Sequence, residues 1–361
     1  MKLYALFVYI LLYSLIILSA HKVVNRSCKE RKGLWACPET YCIILIYTIV
    51  VGLRWMVGLD YENYYDWYNQ DYGYYNFDSM ELIPRVTMLF MYSLNMPFYT
   101  WFMLMAFLQI FFILKAFEKE YINYLTAGLF FYLVFYLGHD MNIIRQGVSL
   151  SIVAYAYSFL SKKTQIYYVA LVILACLFHR SAALAILFVF LPLIRNISMP
   201  PVAVQLIFFF VLSYLGTIII NYITDNIGQY LAIIDYQDKL AGYKTSTQVI
   251  ENKTGLGVLF RDFITILIIL NSNKYLKTDN LKSLYIVYFI GACLYHACMN
   301  EISLSRINIY MITPMIVLLP VIMSPLLRSR YRLLAYLVYS VSISLILLET
   351  SNIEWNFVWD I

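Results

Sequence analysis

Apolar residues along the chain fall into blocks of helix-spanning length separated by short polar stretches. The blocks run approximately over 3–20, 40–57, 97–115, 121–138, 146–160, 166–179, 181–194, 201–220, 257–271, 284–299, 305–323 and 333–349. A helix needs roughly 20 apolar residues to cross a bilayer, and fewer where its ends are buried in protein. The pattern therefore predicts an all-α polytopic membrane protein of about twelve transmembrane helices, forming one integral membrane domain over 1–361. Segment 82–94 is too short to span and is expected to lie on the membrane surface as an amphipathic helix, within an outer loop over 58–96. A second large outer loop is expected over 221–256. No internal repeat, linker or low-complexity tract interrupts the series.

One stretch has two readings. Residues 164–194 are almost continuously apolar, giving either one long helix or two short spans turning at Phe178-His179-Arg180-Ser181. Charge decides between them. With the turn in place, Lys22, Arg26, Lys29, Arg31, Lys32, Lys115, Lys119, Lys162, Lys163, Arg195, Lys274, Lys277, Lys282, Arg328, Arg330 and Arg332 all fall in inward loops. Loop 58–84 has no Lys or Arg but has Asp60, Glu62, Asp66, Asp71, Asp78 and Glu81. Since basic residues stay on the cytoplasmic side, both termini and the acidic loop are expected outside. Segment 3–20 is followed, not preceded, by its basic cluster, so it reads as a span and not as a cleavable signal.

Composition agrees with this class. Hydrophobic residues make up 62% of the 361 and charged residues 13%, with mean hydropathy +0.71. A soluble domain carries about 25% charged residues, so no separate soluble domain is expected. Cys28 and Cys37 fall on the inward, reducing side and Cys42, Cys176, Cys293 and Cys298 in spans, so disulfides are not expected. The basic loops are explained by orientation and need no nucleic-acid partner. Walker, Gly-x-Ser-x-Gly, His-Glu-x-x-His, His-x-x-His and Cys-x-x-Cys patterns are absent, so no metal or cofactor is expected.

The candidate chemistry gathers at the expected outer face: Arg54, Asp60, Glu81, Asp140, Arg145, His179, Arg180, Arg261, Asp262, Glu301 and Arg306. Each alone has a structural reading, such as a snorkelling arginine, a turn histidine or a local ion pair. Together they suggest a site, because ionisable groups in apolar segments are costly. Tyr61, Tyr64, Tyr65, Tyr68, Tyr72, Tyr74, Tyr75 and Trp67 crowd one acidic loop. They suggest a surface on which sugar faces stack, beyond the usual interfacial belt.

The motifs Arg54-x-x-x-Gly58-x-Asp60-Tyr61-x-x-Tyr64, Glu81, Asn142-x-x-Arg145-Gln146, Phe178-His179-x-Ser181-Ala182 and Arg306-Ile-x-x-Tyr310 occur in that order. In them the chain resembles the EpsG-type branch of the Wzy polysaccharide polymerases. Glu81-Leu-Ile-Pro84 departs from the family's usual proline directly after the glutamate. The resemblance implies a GT-C-like helical bundle with an outer-face cavity, in a bacterial inner or plasma membrane. It implies a metal-independent glycosyltransferase that joins undecaprenyl-pyrophosphate-linked oligosaccharides into a surface polysaccharide, with a chain-length-regulating membrane protein as a further partner. On that reading Arg145 and Arg306 stabilise the pyrophosphate leaving group, with Arg54 as a third cation. Asp60 or His179 activates the acceptor hydroxyl, and the sequence leaves that choice open. Glu81, Tyr61, Tyr64, Tyr65 and Glu301 are expected to bind or orient substrate. The runners-up are a flippase for the same lipid-linked sugars, which would spread its polar residues through the membrane depth, and an O-antigen-ligase-like enzyme.

Overall fold

A computed structural model describes residues 2–58, 60–70, 77, 80–118, 120–160, 163–194, 198–231, 256–299, 302–327, 334 and 356–357. It is about 85% helical. Among the described residues, five helical stretches are long and apolar enough to cross a membrane: Tyr4–Glu30, Tyr99–Ala116, Ile122–Asn142, Asp279–Cys298 and Leu304–Met323. Shorter apolar helices cover Pro38–Gly52, Gln165–Phe178, Arg180–Leu193 and Val202–Gly216. The expected span 333–349 lies outside the described residues, apart from Leu334.

The expected single domain resolves into two compact units, Met1–Pro192 with Met315–Ile361, and Leu193–Pro314. No shift in composition marks their boundary. The first unit contains α1 (Lys2–Glu30), α2 (Pro38–Gly52), α3 (Tyr61–Tyr68), α4 (Leu82–Ser93), α5 (Tyr99–Ala116), α6 (Leu125–Asn142), α7 (Ile144–Ala156) and α8 (Gln165–Phe178). α1 packs on α2 and α6, α5 on α2 and α7, and α7 on α8. The short α9 (Leu191–Ile194) leads out of this unit. The second unit holds α10 (Val202–Leu231), α11 (Leu256–Leu270), α12 (Ser272–Tyr275), α13 (Asp279–Cys298) and α14 (Ile302–Ile312), with α13 packed on α10 and α14. α15 (Met315–Leu327) returns to the first unit and packs on α6.

Two expectations change in detail. The basic stretch 21–33 is not a loop through most of its length, because α1 continues to Glu30. Lysine and arginine are good helix formers, and Lys29 in the last turn complements the helix dipole. The helix then stops at Arg31, whose positive φ of 52° is the left-handed conformation common just past a helix end. The expected loop 221–256 begins as helix, since α10 runs to Leu231, and residues 232–255 lie outside the described residues.

The stretch 164–194 does break at His179, which is extended at φ −158° and ψ 122°. Gln165 Nε2 donates to Val189 O at 2.8 Å and Tyr168 Oη to Ala185 O at 2.5 Å, so the two halves run antiparallel. The second half, Arg180–Phe190, is a 3-10 helix, long for that form. At about 2.0 Å of rise per residue against 1.5 Å in an α-helix, it covers more membrane depth than its length suggests.

The two ends of the first unit differ in character. At one end Arg26 pairs with Glu39 at 3.1 Å, Cys28 Sγ bonds Asn123 Oδ1 at 3.3 Å, and Lys115 Nζ sits 4.8 Å from the Trp35 ring centroid. Each helix from α1 to α8 that crosses the unit carries the chain between that end and the one holding Arg54, Glu81, Arg145 and His179. Surface helix α4 forms as expected, leaving Leu82, Val86, Leu89 and Phe90 exposed as one apolar stripe while Pro84 and Met88 face inward.

Candidate active site

The site begins where α2 ends. Arg54 and Trp55 form β1, which pairs antiparallel with β2 (Asn356–Phe357). The Arg54 side chain is 1% exposed. Its Nε donates to Val57 O at 3.2 Å, Nη1 to Val51 O, and Nη2 to Met141 O at 2.7 Å. Its guanidinium also lies against the rings of Tyr61 and Phe102, at 5.6 and 5.4 Å. Charge-assisted hydrogen bonds of this kind are worth about 1.5–3 kcal/mol each. Arg54 therefore clips the end of α2 to the end of α6, and the expected third phosphate-facing cation is a buried backbone clamp.

Gly58 completes the turn at φ +106°, where a Cβ would lie 3.0 Å from Met141 O. Only glycine fits both the conformation and the space. The chain then reaches Asp60, whose N–H donates to Asn142 Oδ1 at 3.4 Å, and α3 starts at Tyr61. The motif Arg54-x-x-x-Gly58-x-Asp60 is thus one device that fixes a half-buried carboxylate against the α6–α7 turn.

That turn presents Arg145. α6 and α7 are separated by Ile143 alone, and α7 can approach because residue 147 is glycine. A Cβ there would lie 2.7 Å from both Asp140 Oδ1 and Gln109 Nε2. Arg145 Nε donates to Tyr64 Oη at 3.3 Å, and Nη1 donates to Glu81 Oε2. Tyr64 and Trp67 also flank the guanidinium at 5.8 and 5.7 Å. Glu81 Oε1 accepts from the Arg180 backbone N–H at 3.2 Å, which joins the 178–181 turn to the same cluster. Burial works to raise the Glu81 carboxyl, but Arg145, His179 and two backbone N–H groups outweigh it and hold the group below its ordinary value. Asp60 also acts electrostatically on Arg145 and Tyr64. Arg145, Glu81, the Asp60–Tyr64 segment and the His179 turn are therefore brought together from four separate segments.

His179 is oriented by its own turn. Its Nδ1 lies 2.6 Å from Ser181 Oγ and accepts from the Ser181 N–H at 3.4 Å. A backbone N–H can only donate, so in the neutral ring the proton is on Nε2. Gln146 Nε2 donates to Ser181 Oγ at 3.4 Å, tying α7 to this turn. His179 thus offers the site a donor at Nε2 more readily than a base.

The rings expected to form an open sugar platform are closed in this structure. Tyr61, Tyr64 and Tyr68 are buried, and Tyr65 is half-buried. Tyr61 stacks on Phe102 at 4.5 Å, and Tyr64 lies 5.5 Å from Trp101. Positions 61, 64 and 68 are the i, i+3, i+7 stripe of a helix burying one face, a signal in the sequence that the platform reading overlooked. Tyr72, Tyr74 and Tyr75 lie outside the described residues.

Beneath the turn runs a polar ladder that pattern alone did not reveal. Asp140 is buried and accepts from Tyr132 Oη, which lies 3.3 Å from Tyr47 Oη. Tyr47 Oη in turn donates to Gln109 Oε1 at 3.4 Å, and Gln109 Nε2 returns to Asp140 O at 3.1 Å. His139 Nδ1 stands 3.6 Å from Asp140 Oδ1. Of the other sequence candidates, Arg306 is half-buried on α14 in the second unit, and Glu301 lies outside the described residues.

No curated protein and no solved structure matches the chain. A family model does, across both units, over residues 40–353. That range takes in the Arg54 clamp, the Glu81–Arg145 pair, the His179 turn and Arg306 alike. On that match the chain belongs to the EpsG family, a membrane-embedded family of polysaccharide biosynthesis with a polymerase role.

Proposed function

We propose that this chain joins lipid-pyrophosphate-linked oligosaccharide repeat units into a surface polysaccharide at the outer face of a bacterial inner or plasma membrane. The observation that carries this reading is Arg145: a guanidinium held by Tyr64, Trp67 and Glu81 at the end of the bundle away from the basic loops. In the reaction an acceptor sugar hydroxyl attacks the anomeric carbon of the donor. The bond from that carbon to the pyrophosphate oxygen breaks, and its electron pair leaves with the lipid pyrophosphate. Arg145 stabilises the departing charge, an effect typically worth a few kcal/mol in the barrier. The Nε2–H of His179 supplies a further donor for phosphate oxygen. The hydroxyl proton goes to Asp60, because the His179 tautomer favours donation and the Gly58 turn holds the carboxylate in place. The family resemblance adds Arg306 of the second unit as another cation. A twelve-span topology with both termini outward completes this reading.

The test is polymerisation of purified lipid-linked repeat units in proteoliposomes. Arg145→Ala, Asp60→Asn and Arg306→Ala are each expected to leave only single repeats. Ladders of wild-type length from Arg145→Ala would remove the leaving-group assignment.

A further inference from the structure

The second unit carries ionisable groups that the reading above does not use. Arg261 and Asp262 are the only charged residues of α11, an otherwise apolar helix. Asp262 Oδ1 lies 2.8 Å from His296 Nε2 on α13. Arg261 Cζ lies over the ring of Tyr295 on α13, 4.4 Å from its centroid, with no carboxylate at ion-pair distance among the described residues. Thr265 Oγ1 and Tyr288 Oη, 2.9 Å apart, close the cluster one turn further along. The side chains of Asp262 and His296 are 24% and 19% exposed, within reach of a ligand.

Three such groups in apolar helices are expensive without a use. A carboxylate only accepts, so the neutral His296 ring carries its proton on Nε2 and turns a bare Nδ1 away from Asp262. Beside it stands the Arg261 guanidinium, in cation–π contact with Tyr295. An anion for Arg261 and a hydroxyl for Nδ1, on adjacent turns, is the chemistry of a sugar joined to phosphate. We propose that Arg261 and the Asp262–His296 pair form a second binding site for a sugar-bearing pyrophosphate lipid, contained within the second unit. The inference rests on the proposed function in one respect: joining two lipid-linked units involves two pyrophosphates, and Arg145 accounts for one.

The test uses the full chain in phosphatidylcholine nanodiscs, with bound lipid counted by native mass spectrometry. The probes are undecaprenyl pyrophosphate and the same lipid carrying one sugar. Wild type is expected to bind two molecules, and Arg261→Gln and Arg145→Gln one each. His296→Gln is expected to weaken the sugar-bearing lipid about tenfold while leaving the bare lipid unchanged. Arg261→Lys, which keeps the charge without the planar fork, weakens this site less and guards against misfolding of the Gln variant. Two lipids still bound by Arg261→Gln, or displacement of the second by equimolar phosphatidylglycerol, would overturn the proposal. A single wild-type lipid lost in Arg145→Gln also overturns it while sparing the polymerase reading. Loss of one lipid in Arg261→Gln but none in Arg145→Gln does the reverse.

Discussion

Arg54 and Arg145 share a charge and an end of the bundle, yet their surroundings give them opposite work. Arg54 spends its guanidinium on three backbone carbonyls, whereas Arg145 is held by side chains that a ligand can replace. Arg54→Met should therefore lower thermal stability in detergent by about 3 kcal/mol or more, from charge-assisted bonds lost and carbonyls left unpaired. Arg145→Gln should remove polymerisation while lowering stability less than Arg54→Met, because it forfeits the Glu81 pair but leaves no backbone carbonyl unpaired. Glu81 supplies a pH signature. Its folded value lies below the ordinary 4.5, so the Glu81–Arg145 contribution is fully present above that value and disappears as pH falls through the lowered one. Unfolding followed from pH 6 downward should show this acid limb in wild type and not in Glu81→Gln. The sequence made the Arg54–Asp60 motif legible because its logic is local: one arginine, one glycine turn, one carboxylate. It did not reveal that Arg145 would take Glu81 and Tyr64 as partners, because those contacts join segments far apart in the chain.

At the scale of elements, polar side chains decide how apolar helices register. Lipid gives α2, α5 and α6 no hydrophobic reason to prefer one another, so packing and buried hydrogen bonds select the partners. The ladder from Gln109 through Tyr47 and Tyr132 to Asp140 does this directly beneath the α6–α7 turn. Tyr132→Phe removes the hydroxyl that donates to the buried Asp140 carboxylate and should cost about 1–3 kcal/mol, measured by thermal unfolding. The variant should also lower polymerisation, because Asp140 lies one turn before the turn that presents Arg145. Helix positions were legible from block hydrophobicity, including the break at His179, where charge balance demanded a turn. The 3-10 form of Arg180–Phe190 was not, since both helix types bury the same composition and differ only in pitch. The inward tyrosines were missed for a related reason: an aromatic-rich loop was read by composition when its helical spacing held the answer.

For the whole molecule, the distribution of charge carries the orientation. The described basic residues Arg26, Lys115 and Lys163 are expected on the cytoplasmic side and the Asp60–Glu81 region opposite. Single cysteines at Asn69 and Lys163, both exposed, provide the check once the exposed Cys28 and Cys42 have been replaced. An impermeant maleimide applied to intact cells stripped of any outer barrier should label position 69, and position 163 only after lysis. Labelling of 163 in intact cells would reverse the threading. The β1–β2 pairing adds a constraint in time. Arg54 and Trp55 are made early, but their strand partners Asn356 and Phe357 leave the ribosome last among the described residues. The first helices form with this edge open, and it closes only when the far segment reaches it. Synthesis order thus leaves the strand that follows α2 without its partner until nearly all of the described chain has been made.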